Sequence, residues 1–297
     1  MKIKANGIDI EVEDTGDGTP GEQRPAVLLI MGLGMQLIAW PPELVQALVD
    51  AGYRVIRMDN RDVGLSQHFD QLGTPNLLWQ GLRLKLGLTP RSPYSLADMA
   101  RDAIGVLDAL QVDKAHVVGV SMGGMIAQRV AIAAPERVVS MTSIMSSSGA
   151  RGLPQARPEV MRALMGRPAS SALNDVLDHY VRLFKAIGSP GFPMTDAQMR
   201  ERIEAGVQRS FYPVGTQRQM LAIVADVGRA GELARVQSPT LVLHGKADPL
   251  VPYPCGEDTA RRIRGAKLVG VEGMGHDLPP GVVGRLLEPL IPHLRAA

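Results

Sequence analysis

One cysteine in 297 residues, Cys255, excludes an intramolecular disulfide and any site built from several thiolates. Its plain reading is a small buried side chain. Aromatic residues are only 4% of the chain, and no Lys/Arg block interleaves with them, so the footprint of a nucleic-acid binder is missing. Charge of either sign in excess is missing too: 32 basic against 30 acidic residues leave a formal +2, which turns attention to small-molecule chemistry. No apolar run approaches the roughly 20 residues that span a bilayer. The opening stretch "MKIKANGIDIEVEDTG" alternates charged and apolar residues and has no continuous apolar stretch that would serve as a secretory signal. These absences predict a soluble, cytoplasmic protein with a small-molecule substrate, no nucleic-acid partner and no stable membrane insertion. Internal repeats and low-complexity segments are absent as well. The sequence leaves a homo-oligomer open.

What is present is a succession of short β-branched and aliphatic runs. "IKANGIDIEVED" alternates on either side of Asn6-Gly7, the pair that suits a two-residue hairpin turn. Then come "PAVLLIMG" (25–32), "YRVIRMD" (53–59), "KAHVVGV" (114–120), "RVVSMTSIM" (137–145), "SPTLVLHG" (238–245) and "AKLVGVEG" (266–273). Most are near-continuous apolar runs, as strands covered on both faces must be. Helical patterns separate them, as parallel pairing requires. "PPELVQALVDAG" has proline at its start and Gly52 as a stop. "SLADMARDAIGVLDAL" opens with Ser95 and Asp98 in capping-box spacing. "GGMIAQRVAIAAPE" follows Ser121 directly. The alternation predicts an α/β class fold, a mostly parallel central sheet flanked by helices. From 148 to 236 the pattern changes to helical spacing alone, with Pro- and Gly-rich joints such as "GSPGFP". The expected organisation is therefore a core of 1–147 and 237–297 with a helical lid, 148–236, inserted over the carboxyl ends of the strands, where ligands bind in open α/β sheets.

"VVGVSMGGMI" (117–126) places Ser121 between glycines at the end of an apolar run. With 32 Gly in the chain the pentapeptide alone proves little. A serine hydroxyl is a weak nucleophile at neutral pH, so a working site needs a base, a group to orient the base, and donors for the oxyanion. Ser121 sits where a buried strand ends and a helix begins, the strained turn that pushes a hydroxyl out at the sheet edge. Asp248 follows the strand "TLVLHG", and His276 follows the last strand in "GVEGMGHDLPP". Of the other histidines, His116 starts its strand, His179 and His293 lie in helical patterns, and His244 closes a strand as a structural neighbour of the Asp248 loop. After "VVSMTSIM" there is no acid to rival Asp248, only Ser146, Ser147 and Ser148. The oxyanion donors expected are the backbone N–H groups of Met122, after the nucleophile, and of Leu33 in "IMGLGM", where Gly32 frees the chain to turn inward. The alternative is that "IMGLGM" is an ordinary Gly-rich connection.

The order Ser, Asp, His and the stretches "IMGLGMQLIAWP", "MDNRDVGLS", "HVVGVSMGGMIAQ", "LVLHGKADPLVP" and "GMGHDLPP" resemble the α/β-hydrolase family over nearly the whole chain. Within it the resemblance is to bacterial carboxylesterases akin to aclacinomycin methylesterase. That resemblance implies an α/β-hydrolase fold and hydrolysis of a carboxylic ester through an acyl-enzyme, with no cofactor and no metal. Two departures stand out: Met31-Gly32 where many members have His-Gly, and Arg61-Asp62 where many have Arg-Gly. Residues expected near the pocket are apolar: Trp40, and Met161, Met165, Met194 and Met220 of the lid, unless those methionines are simply the lid's core. "NLLWQGLRLKLGL" (76–88) reads as a second flap, a weak interfacial surface or a plain buried segment. The competing chemistries for the same three side chains are C–C bond hydrolysis, lactone hydrolysis, perhydrolysis, and a receptor that keeps an idle triad.

Overall fold

A computed structural model of the chain describes residues 1–16 and 24–297. The hairpin β1 (Lys2–Ala5) and β2 (Ile8–Asp14) turns at Asn6 and Gly7, whose φ values of 50° and 79° are the left-handed pair that such a turn demands. Then follow β3 (Ala26–Ile30), α1 (Pro42–Asp50), β4 (Arg54–Met58), α2 (Leu77–Lys85), α3 (Leu96–Ala109), β5 (Ala115–Val120), α4 (Met122–Ala133) and β6 (Val138–Ile144). Five helices come next: α5 (Pro158–Leu164), α6 (Leu173–Ile187), α7 (Asp196–Arg209), α8 (Pro213–Ala225) and the short α9 (Arg229–Glu232). The chain closes with β7 (Thr240–Gly245), α10 (Pro254–Arg262), β8 (Lys267–Val271) and α11 (Pro280–Arg295).

The strands form one eight-stranded sheet in the order β1-β2-β4-β3-β5-β6-β7-β8, antiparallel at β1 and β2 and parallel from β4 to β8. Because successive side chains leave a strand on opposite faces, a strand covered on both sides must be apolar at every position. In β3, Leu28 and Ile30 join the core under α3 and α4, while Val27 and Leu29 join the core under α1 and α11. β5 divides its valines the same way, Val117 to the first face and Val118 and Val120 to the second. β8 is the exception among the parallel strands. It is an edge strand, half-buried along most of its length, because only β7 pairs with it.

Helix starts follow the capping chemistry. The Ser95 hydroxyl accepts from the Asp98 N–H while the Asp98 carboxylate accepts from the Ser95 N–H, and Thr195 and Gln198 build the same reciprocal pair at the start of α7. Among the described residues no strand lies between β6 and β7, only α5 to α9 and a 3-10 turn at Leu233–Arg235. Two sequence readings are corrected. The methionines of this helical segment are not all core: Met161 and Met165 are exposed, Met194 and Met220 half-buried. The stretch 76–88 is not a buried segment either, since no residue of α2 is buried.

Candidate active site

Parallel pairing puts the carboxyl ends of β5, β7 and β8 on one edge of the sheet, and the loops leaving those ends carry Ser121, Asp248 and His276. Ser121 stands between β5 and α4 with φ 54° and ψ −118°, a conformation that a non-glycine residue adopts only when its surroundings hold it there. They do. The Ser121 N–H donates to the Ile144 carbonyl at 2.9 Å, and the Ser146 hydroxyl donates to the Ser121 carbonyl at 2.7 Å. The turn is too tight for side chains beside it. A Cβ on Gly119 would stand 2.0 Å from the Gly123 carbonyl oxygen, and one on Gly123 would stand 2.0 Å from the Ile30 carbonyl oxygen.

The three side chains predicted to act together are in direct contact. Ser121 Oγ lies 2.9 Å from His276 Nε2, and His276 Nδ1 lies 2.7 Å from Asp248 Oδ2. A carboxylate only accepts, so Nδ1 carries the imidazole proton and Nε2 faces the hydroxyl as acceptor. The other carboxylate oxygen of Asp248 accepts the N–H groups of Leu250 at 2.9 Å and Val251 at 2.8 Å, which fixes its plane. His244 lies beside this acid, as its place at the end of β7 suggested, but its Nε2 is 3.7 Å from Asp248 Oδ2 and donates to the Val251 carbonyl at 2.7 Å. Burial holds the His244 imidazole below its ordinary pKa, so it stands there neutral. His276 and Asp248 are buried and Ser121 half-buried.

Gly32 approaches the same turn closely: a Cβ there would be 3.2 Å from the Cβ of Ser121. The Met122 N–H opens α4, where first-turn amides have no intrahelical acceptor. The Leu33 amide makes no hydrogen bond among the described residues, while its neighbour Gly34 donates to Gln219 Oε1 of α8 at 2.9 Å. Trp40 occupies a core position without exposed surface, packed with Leu44 and Leu48 of α1 and with its indole N–H unpartnered among the described residues. Among the described residues, no three His, Cys, Asp or Glu side chains are grouped as a metal would require.

Polar residues that the sequence reading passed over anchor both loops to the helical segment. Gln219 Nε2 donates to the Arg61 carbonyl at 2.7 Å, so one buried amide bridges two core loops. Arg209 Nη1 donates to Gln36 Oε1 at 2.7 Å and to Asp59 Oδ2 at 2.7 Å. On the other side, the His276 N–H donates to the Ile187 carbonyl at 2.7 Å, and the Gly275 N–H donates to Ser189 Oγ at 2.8 Å. The Ser189 hydroxyl donates in turn to Asp277 Oδ1 at 2.5 Å. Burial holds that carboxyl above its ordinary range. The departure at Asp62 has a physical role too: the residue takes a left-handed φ of 66°, and its carboxylate accepts two hydrogen bonds at 2.8 Å from Arg218 of α8.

Comparison with known proteins agrees with this architecture. Residues 25–279 match the family model described as alpha/beta hydrolase fold. The rhodomycin D methylesterase DauP of Streptomyces sp. (strain C5) is 31% identical, over 97% of this chain and 96% of that protein. A putative carbamate hydrolase, RutD of Variovorax paradoxus (strain S110), is 29% identical over 91% of this chain and 89% of its own length. In structure, the meta-cleavage product hydrolase CumD of Pseudomonas fluorescens IP01 superposes with a TM-score of 0.74 at 22% identity, covering 100% of this chain and 97% of the other. No helix among the described residues is long and apolar enough to cross a membrane. With the sheet order, the turn at Ser121 and a family match over most of its length together, the chain belongs to the alpha/beta hydrolase fold family of enzymes.

Proposed function

We propose that this protein is a serine carboxylesterase that cleaves small, hydrophobic carboxylic esters through an acyl-enzyme. The observation that carries the reading is the unbroken relay from the strained Ser121 through His276 to Asp248, with separations of 2.9 Å and 2.7 Å. His276 takes the hydroxyl proton at Nε2 as Ser121 Oγ adds to the ester carbonyl, and Asp248 holds the imidazolium that results. The negative oxygen of the tetrahedral intermediate is met by the Met122 and Leu33 N–H groups, at the positive end of α4. As the C–O bond breaks, His276 returns the proton to the leaving alcohol. Water then repeats the sequence on the acyl-enzyme, releasing the acid and restoring Ser121. On this reading α5 to α9 form a cap over the strand ends, and its half-buried methionines Met194 and Met220 supply adaptable apolar surface to the substrate. The ester class is favoured over carbamate cleavage by the higher identity and coverage of the methylesterase, 31% over 97% of this chain against 29% over 91% for the carbamate hydrolase. Methyl esters are therefore the first substrates to assay.

Ser121→Ala is expected to abolish turnover of short p-nitrophenyl esters and of methyl esters while leaving the circular dichroism spectrum and melting temperature near wild type. A fluorophosphonate is expected to add one covalent mass to the wild type and none to the variant. Turnover retained by Ser121→Ala would reject the assignment, and a wild type that takes up no label would favour a binding role without catalysis.

A further inference from the structure

Half of the exposed large apolar side chains among the described residues fall between positions 72 and 88. Leu78 is 89% exposed, Leu86 66%, Trp79 54% and Leu82 45%. At 100° per residue these four side chains lie within an arc of about 100° of α2 and the turn after it. Lys85 borders the arc on one side and Arg83 on the other. The return segment is tied to α2 outside this arc: Gln80 Oε1 accepts the Arg91 N–H at 2.8 Å, and Arg83 Nη2 donates to the Thr89 carbonyl at 3.0 Å, while Leu84 on the far side is 53% exposed as well. Asn76 caps the start of the helix by accepting the Trp79 N–H at 2.9 Å. The helix is thus held to the molecule by polar contacts, and it turns leucine and tryptophan outward, where a lone surface helix keeps polar residues.

The charge around this face has one sign. From residue 71 to residue 97 the sequence has no Asp or Glu, while Arg83, Lys85 and Arg91 supply three cations. We propose that α2 docks the protein peripherally on an anionic phospholipid bilayer, with Leu78, Trp79, Leu82 and Leu86 entering the headgroup boundary and Arg83, Lys85 and Arg91 meeting the lipid phosphates. A leucine and tryptophan face bordered by basic residues is what an interfacial helix presents. Self-association fits the same face less well. A two-fold pairing sets like against like, so the cations of both copies would crowd together with no acid between 71 and 97 to offset them. The proposal concerns α2 alone and stands whichever bond Ser121 attacks.

The test is co-sedimentation of the whole protein with phosphatidylcholine vesicles, with and without phosphatidylglycerol, read beside tryptophan emission. The chain has two tryptophans, and Trp40 has no exposed surface, so a blue shift on binding reports Trp79. Phosphatidylglycerol vesicles are expected to pellet the protein and shift its emission, and Trp79→Phe is expected to remove the shift. The double variant Leu78→Ser, Leu82→Ser is expected to partition more than tenfold more weakly. Lys85→Gln with Arg91→Gln is expected to weaken binding about thirtyfold on phosphatidylglycerol vesicles and little on neutral ones. Because these side chains are exposed, a circular dichroism spectrum and melting temperature near wild type serve as the check that each variant is folded. Wild type left in the supernatant with phosphatidylglycerol vesicles overturns the proposal. So does binding that the serine variant retains, or a vesicle-free dimer in sedimentation velocity that the serine variant abolishes.

Discussion

At single residues, the fold is decided by which atoms are missing. Gly119 and Gly123 let β5, β3 and the start of α4 approach within carbonyl contact, and the turn at Ser121 exists only because neither carries a methyl. Gly119→Ala puts its Cβ 2.0 Å from the Gly123 oxygen, so backbone must move, at a cost of about 3 kcal/mol or more. Gly284 in α11 is the matched control. An added methyl there meets nothing within 4 Å, and Gly284→Ala is expected to gain about 0.5–1 kcal/mol from helix propensity and lost chain entropy. Urea unfolding of the two variants beside wild type checks both signs, and equal effects would mean that the turn is not tightly packed. Much at this scale was legible in the sequence, though only in combination: Ser121 between glycines means little among 32 Gly, and gains its meaning from the buried strand before it and the Asp and His after later strands. Asp248 and His276 were legible by place and order, each on the loop that leaves a carboxyl strand end, three residues past β7 and five past β8. Leu78 and Trp79 were not, since apolar composition predicts burial only one way: many leucines remain outside.

Among elements, the loop that carries Leu33 and the loop that carries His276 are each held from the α5–α9 segment as well as from the core. Gln219 ties Gly34 to the Arg61 carbonyl, and Ser189 joins Gly275 to Asp277. A loop clamped by hydrogen bonds from a separate helix keeps its amides in place only while that helix stays docked. Gln219→Ala frees the Gly34 amide and lets the Leu33 N–H drift from the position an oxyanion needs. Turnover is expected to fall about ten- to a hundredfold with KM nearly unchanged, since ground-state binding does not use that amide. Steady-state kinetics with a p-nitrophenyl ester gives the split, and a loss in KM alone would assign Gln219 to substrate binding instead. None of this was visible in sequence. Strands and helices announce themselves through period and capping residues, whereas Gln219, Arg209 and Ser189 reach across 86 to 185 positions, to backbone groups or to single polar side chains that carry no periodic signature.

In the whole molecule the two ends of the parallel strands serve different purposes, and pH separates them. The candidate site occupies the carboxyl edge, while His116, at the start of β5, is buried near the opposite edge against Tyr53, with Nδ1 2.8 Å from the Ser140 hydroxyl. Burial, reinforced by the nearby His293, lowers its pKa from 6.5 to about 4. A histidine depressed in the folded state gives stability that is complete above the unfolded value of 6.5 and lost as pH falls toward 4, because the unfolded chain takes up the proton first. The gap of about 2.5 units corresponds to about 3 kcal/mol, most of it lost by pH 4.5. Asp258 acts in a lower window. Burial raises its carboxyl, but hydrogen bonds from Arg262, Ser148 and Arg261 outweigh burial and bring it to about 2, so its contribution is lost only between pH 4 and 2. Asp59, Asp102 and Asp277, held above the ordinary carboxylate range by burial, oppose both by gaining protons more readily when folded. The difference between wild type and His116→Gln isolates the histidine from these terms. Urea midpoints at pH 7 and pH 4.5 should show the wild type losing about 2–3 kcal/mol more than the variant, with ester turnover at pH 7 the same in both. Equal losses in the two proteins would mean that His116 titrates as it does in water and that the amino edge of the sheet is wetter than its packing implies.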